Sequence, residues 1–455
     1  MKMKQLIDNA WVLTFDEQWK EFKNGYVFIE DDVIGDVGDD PEMRKKYAVM
    51  ADEVHDAKGR WVMPGLVNAH THMFQTFLRG LADDKPLLRW LKEEIYPFSG
   101  IMEEEDFYLS GLVGCLENLK NGATSVIDQH YVHMSPFNSD KVFEAMEKTG
   151  IRGYNCRTFG NRLPHKPLEE KKEHILSELE RLKETWHGKD NGRLNLMMGP
   201  LNPWGSTTDM FEESFAFAEK HDLLYQLHTA ETQGVVQATV DEYGLRNVEF
   251  FDSMGIISER TQLAHAVWLS DKEKEIVRDK GAMVVHNPVA NMYLASGVAP
   301  IMEYKKMGIP VALATDGPGS NNSQDMMEVL KTTACLQKVH SMDAMIIYPE
   351  DVLGMAVRDG AKALGRDDIG SLEKGKKADI IMVNWKKHHI APVHKANSAL
   401  VYNVNGNDVD SVWVDGKLVV KEKSAVGIDE EALLEACQER ADYLYQKAKG
   451  VSISG

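Results

Sequence analysis

The sequence predicts an α/β fold in which a (β/α)8 barrel is joined by a small β domain built from both ends of the chain. Three observations carry this expectation. Between Pro64 and Gly370, short apolar runs alternate with charged amphipathic stretches of helical length, the pattern of successive βα units on a parallel sheet. Several of those runs end on a histidine or an aspartate, and the C-terminal ends of barrel strands are where chemistry is placed. Outside this region the texture changes to short apolar runs separated by turns.

Taken in order, Lys4 to about Val62 reads as strand and turn, as in Tyr26–Ile34, with little helix signal. Eight barrel strands are then expected at Leu66–Ala69, Thr124–Ile127, Ile151–Cys156, Leu194–Met198, Leu223–Leu227, Thr261–Ala264, Ala282–Val285 and Pro310–Thr315. The intervening helices are clearest at Glu104–Lys120, Pro167–Trp186, Thr208–Lys220, Asp271–Lys280 and Ser323–Val339. The β texture returns at Ala378–Val383, and Val412–Val420 reads as a hairpin because Asp415-Gly416 suits a type I′ turn. Glu430–Lys449 is expected to be a closing helix capped by Asp429. The domains that follow are residues 1–62 with 372–427 as a composite β domain, 63–371 as the catalytic barrel, and 428–455 as a C-terminal helix and tail.

Composition narrows the function. The 455 residues, 43% of them hydrophobic, are ample for a large buried core. A net charge of −19 works against binding nucleic acid or anionic membranes. Cys115, Cys156, Cys335 and Cys437 form no Cys-x-x-Cys pair, which signals neither a disulfide framework nor a thiolate zinc site and suits the reducing cytoplasm. The start, Met1 to Asp8, holds no apolar run of signal length. The longest uncharged segment, Gly281–Met302, is broken by Asn287, Pro288 and Pro300, so no membrane span is expected. Asp316-Gly317-Pro318-Gly319-Ser320 is rich in glycine but lacks the lysine of a phosphate-binding loop.

The chemistry starts at His70-Thr71-His72. Residues two apart in a strand point to one face, so both imidazoles can converge on one point. His228, His265 and Asp316 close the fifth, sixth and eighth apolar runs and fall at the same barrel mouth. Three imidazoles, from His70, His72 and His228, plus the Asp316 carboxylate make a sulfur-free donor set for one divalent metal ion, zinc or alternatively ferrous iron. Such a metal lowers the pKa of a bound water and readies it to attack an electron-poor carbon. Glu231, three residues after His228, reaches the same pocket without ligating and suits proton transfer, while His265 would orient or polarise the water. The fourth strand, Leu194–Pro200, carries no lysine that could bridge a second metal.

The segments Pro64–His72, Leu78–Asp84, Leu88–Leu91, His228-Thr229-Ala230-Glu231, Ala264-His265, His286-Asn287-Pro288, Ser296–Pro300 and Thr315-Asp316-Gly317 together resemble the amidohydrolase superfamily. Within it they resemble the branch of S-adenosylhomocysteine/5′-methylthioadenosine deaminases and triazine hydrolases. The resemblance implies a distorted TIM barrel with a composite β-sandwich. It also implies His70, His72, His228 and Asp316 as metal ligands, Glu231 as the acid/base, His265 as the water-polarising histidine and Asp316 as a second proton acceptor.

The chain departs from nucleoside-acting members at Gly199-Pro200-Leu201-Asn202-Pro203-Trp204, where a Pro-His-Ala-Pro-like segment is usual. Asp128-Gln129-His130-Tyr131 looks more like certain triazine hydrolases, in which the glutamine helps hold a planar heterocycle. Gln129, Trp90 and Asn322 are therefore expected to contact substrate. The expected activity is metal-dependent removal of an amino group from a small N-heteroaromatic molecule, of the methylthioadenosine/adenosylhomocysteine deaminase type. An s-triazine hydrolase releasing chloride, alkylamine or thioether, and a guanine- or pterin-type deaminase, are the alternatives. No nucleic acid or membrane partner is expected, and homo-oligomerisation is left open.

Overall fold

Eight parallel strands form one sheet in chain order, each paired with its predecessor. They are Leu66–Thr71, Ala123–His130, Arg152–Phe159, Leu194–Pro200, Tyr225–Thr229, Thr261–His265, Met283–His286 and Val311–Leu313. The computed structural model describes residues 3–81, 83–163 and 165–450; Met1, Lys2, Ala82, Pro164 and the tail Val451–Gly455, which includes the end of the expected C-terminal tail, lie outside the described residues.

Every expected barrel strand is present. Several run further toward the mouth than their apolar stretches, because the ladder continues through polar pairs such as Asp128 with Asn155 and His130 with Arg157. The first and eighth strands close the ring through side chains: the Asn68 amide donates to Thr315 Oγ1 at 2.8 Å, and Thr315 N donates back to Asn68 Oδ1 at 3.1 Å. Asp316 N then donates to His70 O at 3.0 Å, which brings two of the expected ligands together across the seam.

The ring is distorted between its fourth and fifth strands, which pair only at Tyr225 and Met198. Gly199 sits where they splay; a Cβ there would lie 2.1 Å from Gln226 O, so no larger residue fits. Outside the ring, the helices Glu104–Lys120, Thr208–Lys220 and Asp271–Lys280 match their expected bounds. The helix expected from Pro167 begins at Lys172, after a short 3₁₀ turn at Lys166–Leu168. The one expected from Ser323 begins at Met326, where Asp325 caps the Met327 and Glu328 amides.

The terminal segments form a second, nine-stranded mixed sheet. Trp61–Pro64 pairs antiparallel with Ile380–Val383, so the two ends of the chain meet in one ladder. The sheet folds over on itself: Gln5 Nε2 donates to Gly416 O at 2.6 Å, and Val33 bridges Lys377. Ile7, Val27 and Ile29 thereby share a core with Ile380, Met382 and Trp413. The Asp415-Gly416 turn has both residues at positive φ, 47° and 69°, as a type I′ hairpin requires.

One expectation fails in this sheet. Lys4 to Val62 was expected to hold little helix, yet Pro41–Met50 is helical. Asp40 accepts from the Glu42 and Met43 amides, and proline stands at the first helical position. The helix covers the outer face of the sheet through Tyr47, which stacks on Phe28 at 4.1 Å between ring centroids. Its apolar stripe is a single buried residue, too little for periodicity to reveal.

The closing helix spans Glu430–Ala448, with Asp429 accepting from the Ala432 amide, and Arg440 pairs with Asp106 of the Glu104–Lys120 helix. Arg152, buried at the base of the third strand, forks onto Asp379 and reaches Asp415, tying the barrel to the terminal sheet. Among the described residues, no helix is long and apolar enough to cross a membrane.

Candidate active site

The strand ends bring His70, His72, His228, His265, Glu231 and Asp316 together at the barrel mouth. His70 Nε2 and His72 Nε2 lie 3.5 and 3.3 Å from Asp316 Oδ1. His265 Nε2 lies 4.0 Å from Asp316 Oδ2 and 3.9 Å from Glu231 Oε2. The His228 ring stacks against both His72 and His265, with centroids 5.3 and 5.6 Å away. His265 and Asp316 occupy the left-handed backbone region at φ of 70° and 62°, which turns the chain out of the strand direction where these side chains face the centre.

The hydrogen bonds behind the histidines decide which nitrogen faces the centre. His72 Nδ1 meets Gln129 O at 2.6 Å and His228 Nδ1 meets Leu201 O at 2.9 Å. A carbonyl can only accept, so each Nδ1 carries the proton and each Nε2 presents a lone pair. His70 Nδ1 meets Gln226 Oε1 at 2.7 Å, and His70 Nε2 is buried with no hydrogen-bond partner. His265 Nδ1 lies 2.9 Å from Asn291 Oδ1.

Burial holds the His70 imidazole down to about 4, and it pushes His228 well below the usual histidine range, helped by the neighbouring imidazoles. For His72 the burial is outweighed by the Asp316 carboxylate, which raises it. Burial also acts on Asp316, but the imidazoles around it override it and hold the carboxyl well below its ordinary value. Glu231 goes the other way: burial raises it, and its one hydrogen bond from Ser296 Oγ, at 3.1 Å, only partly offsets this.

These atoms fit a divalent metal ion. One donor atom each from His70, His72 and His228, and likewise from His70, His265 and Asp316, lie within 4.8 Å of one another. The buried, unpartnered His70 Nε2 is the nitrogen such an ion would satisfy. No sulfur is present, and neutral imidazole with carboxylate suits zinc or iron.

Above this floor is a cavity. Its walls are largely apolar: Leu87, Trp90, Leu91, Tyr96, Tyr131, Leu201, Pro203, Trp204, Val235 and Leu294, with Gln75 and Asn202 adding amides. No lysine or arginine is among its lining residues within the described part of the chain.

Of the residues expected to contact substrate, Trp90 lines the cavity, its Nε1 donating to Gly319 O at 3.2 Å. Gln129 is fully buried and holds His72 through its main-chain carbonyl; its side chain is not part of the cavity wall. Asn322 lies outside the wall too, bonded to the Gly80 amide and to the Tyr293 hydroxyl. Gln75, Tyr96, Tyr131 and Val235 line the cavity without having been picked out from the sequence as substrate contacts. Gln75 stands three residues beyond His72, a spacing that could have placed it; its amide joins Tyr131 to the Gly319 backbone.

The amidohydrolase family matches residues 61–419, which span the barrel and part of the terminal sheet. The chain belongs to the amidohydrolase family. It is 38% identical over 439 residues to a 5′-deoxyadenosine deaminase of Methanosarcina mazei, covering 96% of this chain and 98% of that protein. It is 35% identical over 444 residues to a 5-methylthioadenosine/S-adenosylhomocysteine deaminase of Desulforamulus reducens, covering 97% and 99%. A zinc-bound adenosine deaminase from Xanthomonas campestris superposes with a TM-score of 0.91 at 28% identity, covering 98% of this chain and 99% of that one. The zinc complex of an atrazine chlorohydrolase from Arthrobacter aurescens superposes at 0.88 with 24% identity over 96% of this chain and all of that one, and shares the fold. This amidohydrolase is therefore a hydrolytic deaminase in reaction class, acting on carbon–nitrogen bonds other than peptide bonds.

Proposed function

We propose that this amidohydrolase deaminates the adenine ring of a nucleoside whose 5′ position carries no charge, of the 5′-deoxyadenosine or 5′-methylthioadenosine kind. One observation carries the reading: an imidazole and carboxylate floor lies beneath an apolar cavity without a cation, in a chain matched end to end by deaminases. His70, His72, His228 and Asp316 would hold one divalent ion, zinc in preference to ferrous iron. When bound, that ion supplies Lewis-acid activation of water at the floor.

The two carboxylates divide the proton work, because their surroundings push them in opposite directions. Glu231, raised by burial, keeps its proton nearer neutrality and can deliver it to a ring nitrogen as the ring is attacked. Asp316, whose carboxyl is held well below its ordinary value, can accept a proton and pass it to the departing amine. His265, between the two carboxylates, orients the attacking water. Trp90, Tyr131 and Trp204 supply flat apolar surface for the heterocycle and exclude bulk water. The free cysteines, three of the four buried, suit a cytoplasmic setting.

The cavity ranks the substrates. The homocysteinyl tail of S-adenosylhomocysteine carries an ammonium and a carboxylate, and the walls offer no arginine or lysine to pair with the latter. Steady-state assays of ammonia and chloride release on 5′-deoxyadenosine, 5′-methylthioadenosine, S-adenosylhomocysteine, guanine and a chlorotriazine test this. The first two should show the highest kcat/KM. Chloride release without deamination of any nucleoside would overturn the reading in favour of a triazine hydrolase.

A further inference from the structure

Beneath the floor, on the inner face of the barrel, two glutamines form a chain that ends on His70. Gln226 precedes His228 by two residues in the fifth strand, so its side chain points to the same face one step deeper. Gln262 is its in-register neighbour on the sixth strand. Gln226 is wholly buried and Gln262 nearly so. Gln226 Oε1 lies 2.7 Å from His70 Nδ1, while Gln226 Nε2 lies 3.0 Å from Ala69 O and 2.9 Å from Gln262 Oε1. Gln262 Nε2 in turn meets Ala363 O.

The two backbone carbonyls decide the direction of every bond. Ala363 O can only accept, so the Gln262 amide must turn its NH2 group there and its oxygen toward Gln226. Ala69 O can only accept as well, which turns the Gln226 NH2 toward it and toward Gln262 Oε1. With both of its N–H groups engaged, Gln226 has only an oxygen left for His70. His70 Nδ1 must donate to it, and Nε2 is left with its lone pair, buried and unpartnered, facing the centre. The other two imidazoles of the set receive the same instruction from a main-chain carbonyl, Gln129 O or Leu201 O. His70 alone has it from a side chain, which could turn over if nothing held it.

We propose that Gln226 is a positioning residue which, locked in orientation by Gln262, fixes the His70 tautomer and thereby sets the affinity of the site for its metal. The proposal rests on the ligand reading of His70. Partners behind a ligating histidine orient the ring and raise its basicity, and their loss typically costs about 10–100-fold in metal affinity or activity.

The test is zinc affinity, measured by competition with a chromophoric chelator on metal-stripped protein, alongside apoprotein melting. Gln226→Leu is expected to weaken zinc binding about 10–100-fold. Gln226→Glu, which keeps an acceptor facing His70, should bind zinc more tightly than Gln226→Leu; equal weakness in the two would mean that the missing acceptor is not the cause and would defeat the proposal. Gln262→Leu, which frees the Gln226 amide to turn, should give a smaller loss than Gln226→Leu, and it keeps the idea testable if Gln226→Leu does not fold. A merely structural role would lower the apoprotein melting temperature and leave zinc affinity at the wild-type value, which overturns the proposal. His70→Ala separates the two readings: if it binds zinc like wild type, the ligand assignment falls. Weak binding by His70→Ala beside wild-type binding by Gln226→Leu removes only the relay.

Discussion

The floor and the walls of the cavity are built on opposite principles. The chemistry-bearing groups of the floor stand at strand ends or in the first few residues beyond them, and His70, His72 and His228 are each held from behind by a carbonyl oxygen, from the backbone or from Gln226. The walls come from short helices and loops, Leu87–Trp90, Tyr96–Ser99 and Leu201–Trp204, and present almost only apolar surface. The rigid part therefore carries the reaction, while the part that can vary without disturbing the barrel carries the choice of substrate.

If this division is right, substitutions in the floor act on metal content and turnover, and those in the walls act on substrate binding. The largest effect should come from His72→Ala or Asp316→Asn, each removing a metal ligand: bound metal, measured by elemental analysis, should fall to trace and activity to background. Full activity in either variant would remove that residue from the ligand set. Next is Glu231→Gln. It should retain metal while turnover falls about 10²–10⁴-fold, because the amide cannot pass a proton. Near-normal turnover with metal retained would make Glu231 a bystander.

The sequence revealed the floor better than the walls, for a physical reason. A strand aims alternate residues to one side, so a histidine closing an apolar run has a readable direction, and barrel geometry then gathers such residues at one mouth. No such rule tells where a loop will lie. Trp90 lines the cavity, whereas Asn322 and the Gln129 side chain lie outside its wall. Gln129 continues the apolar face of its strand, and what it contributes to the centre is a main-chain carbonyl, which no residue type announces. Gln226 had a readable direction, but its pairing with His70 spans the barrel interior between non-adjacent strands and needs the closed ring to be seen. The helix Pro41–Met50 was missed because its pattern is almost wholly polar, although its cap was written in Asp40-Pro41-Glu42.

A smaller effect sharpens the contrast from the side of the walls. Trp204 lines the cavity and is partly buried, and truncating it removes apolar contact worth about 1.5–3 kcal/mol when fully made. Trp204→Ala should therefore raise KM by about tenfold, with metal content unchanged and kcat little altered. A fall in kcat with unaltered KM would show that this wall positions the reacting ring rather than merely holding it.

The smallest effect concerns histidines that belong to neither part. His130 and His286 are fully buried near the barrel mouth, and neither ring nitrogen of either has a hydrogen-bond partner. Burial pushes both down to about 3, His130 with help from the Arg157 charge and His286 from His265. In the unfolded chain each would titrate near 6.5, so between the two values the unfolded state binds more protons and folding stability falls as pH falls. Their contribution is complete above about 6.5 and is lost progressively toward about 3. The urea midpoint should accordingly be lower at about pH 5 than at about pH 7. His130→Phe places another ring between Phe74 and Phe107 and removes one titrating group, so it should flatten that dependence without altering metal content. An unchanged slope in the variant would show that His130 does not contribute to the acid sensitivity.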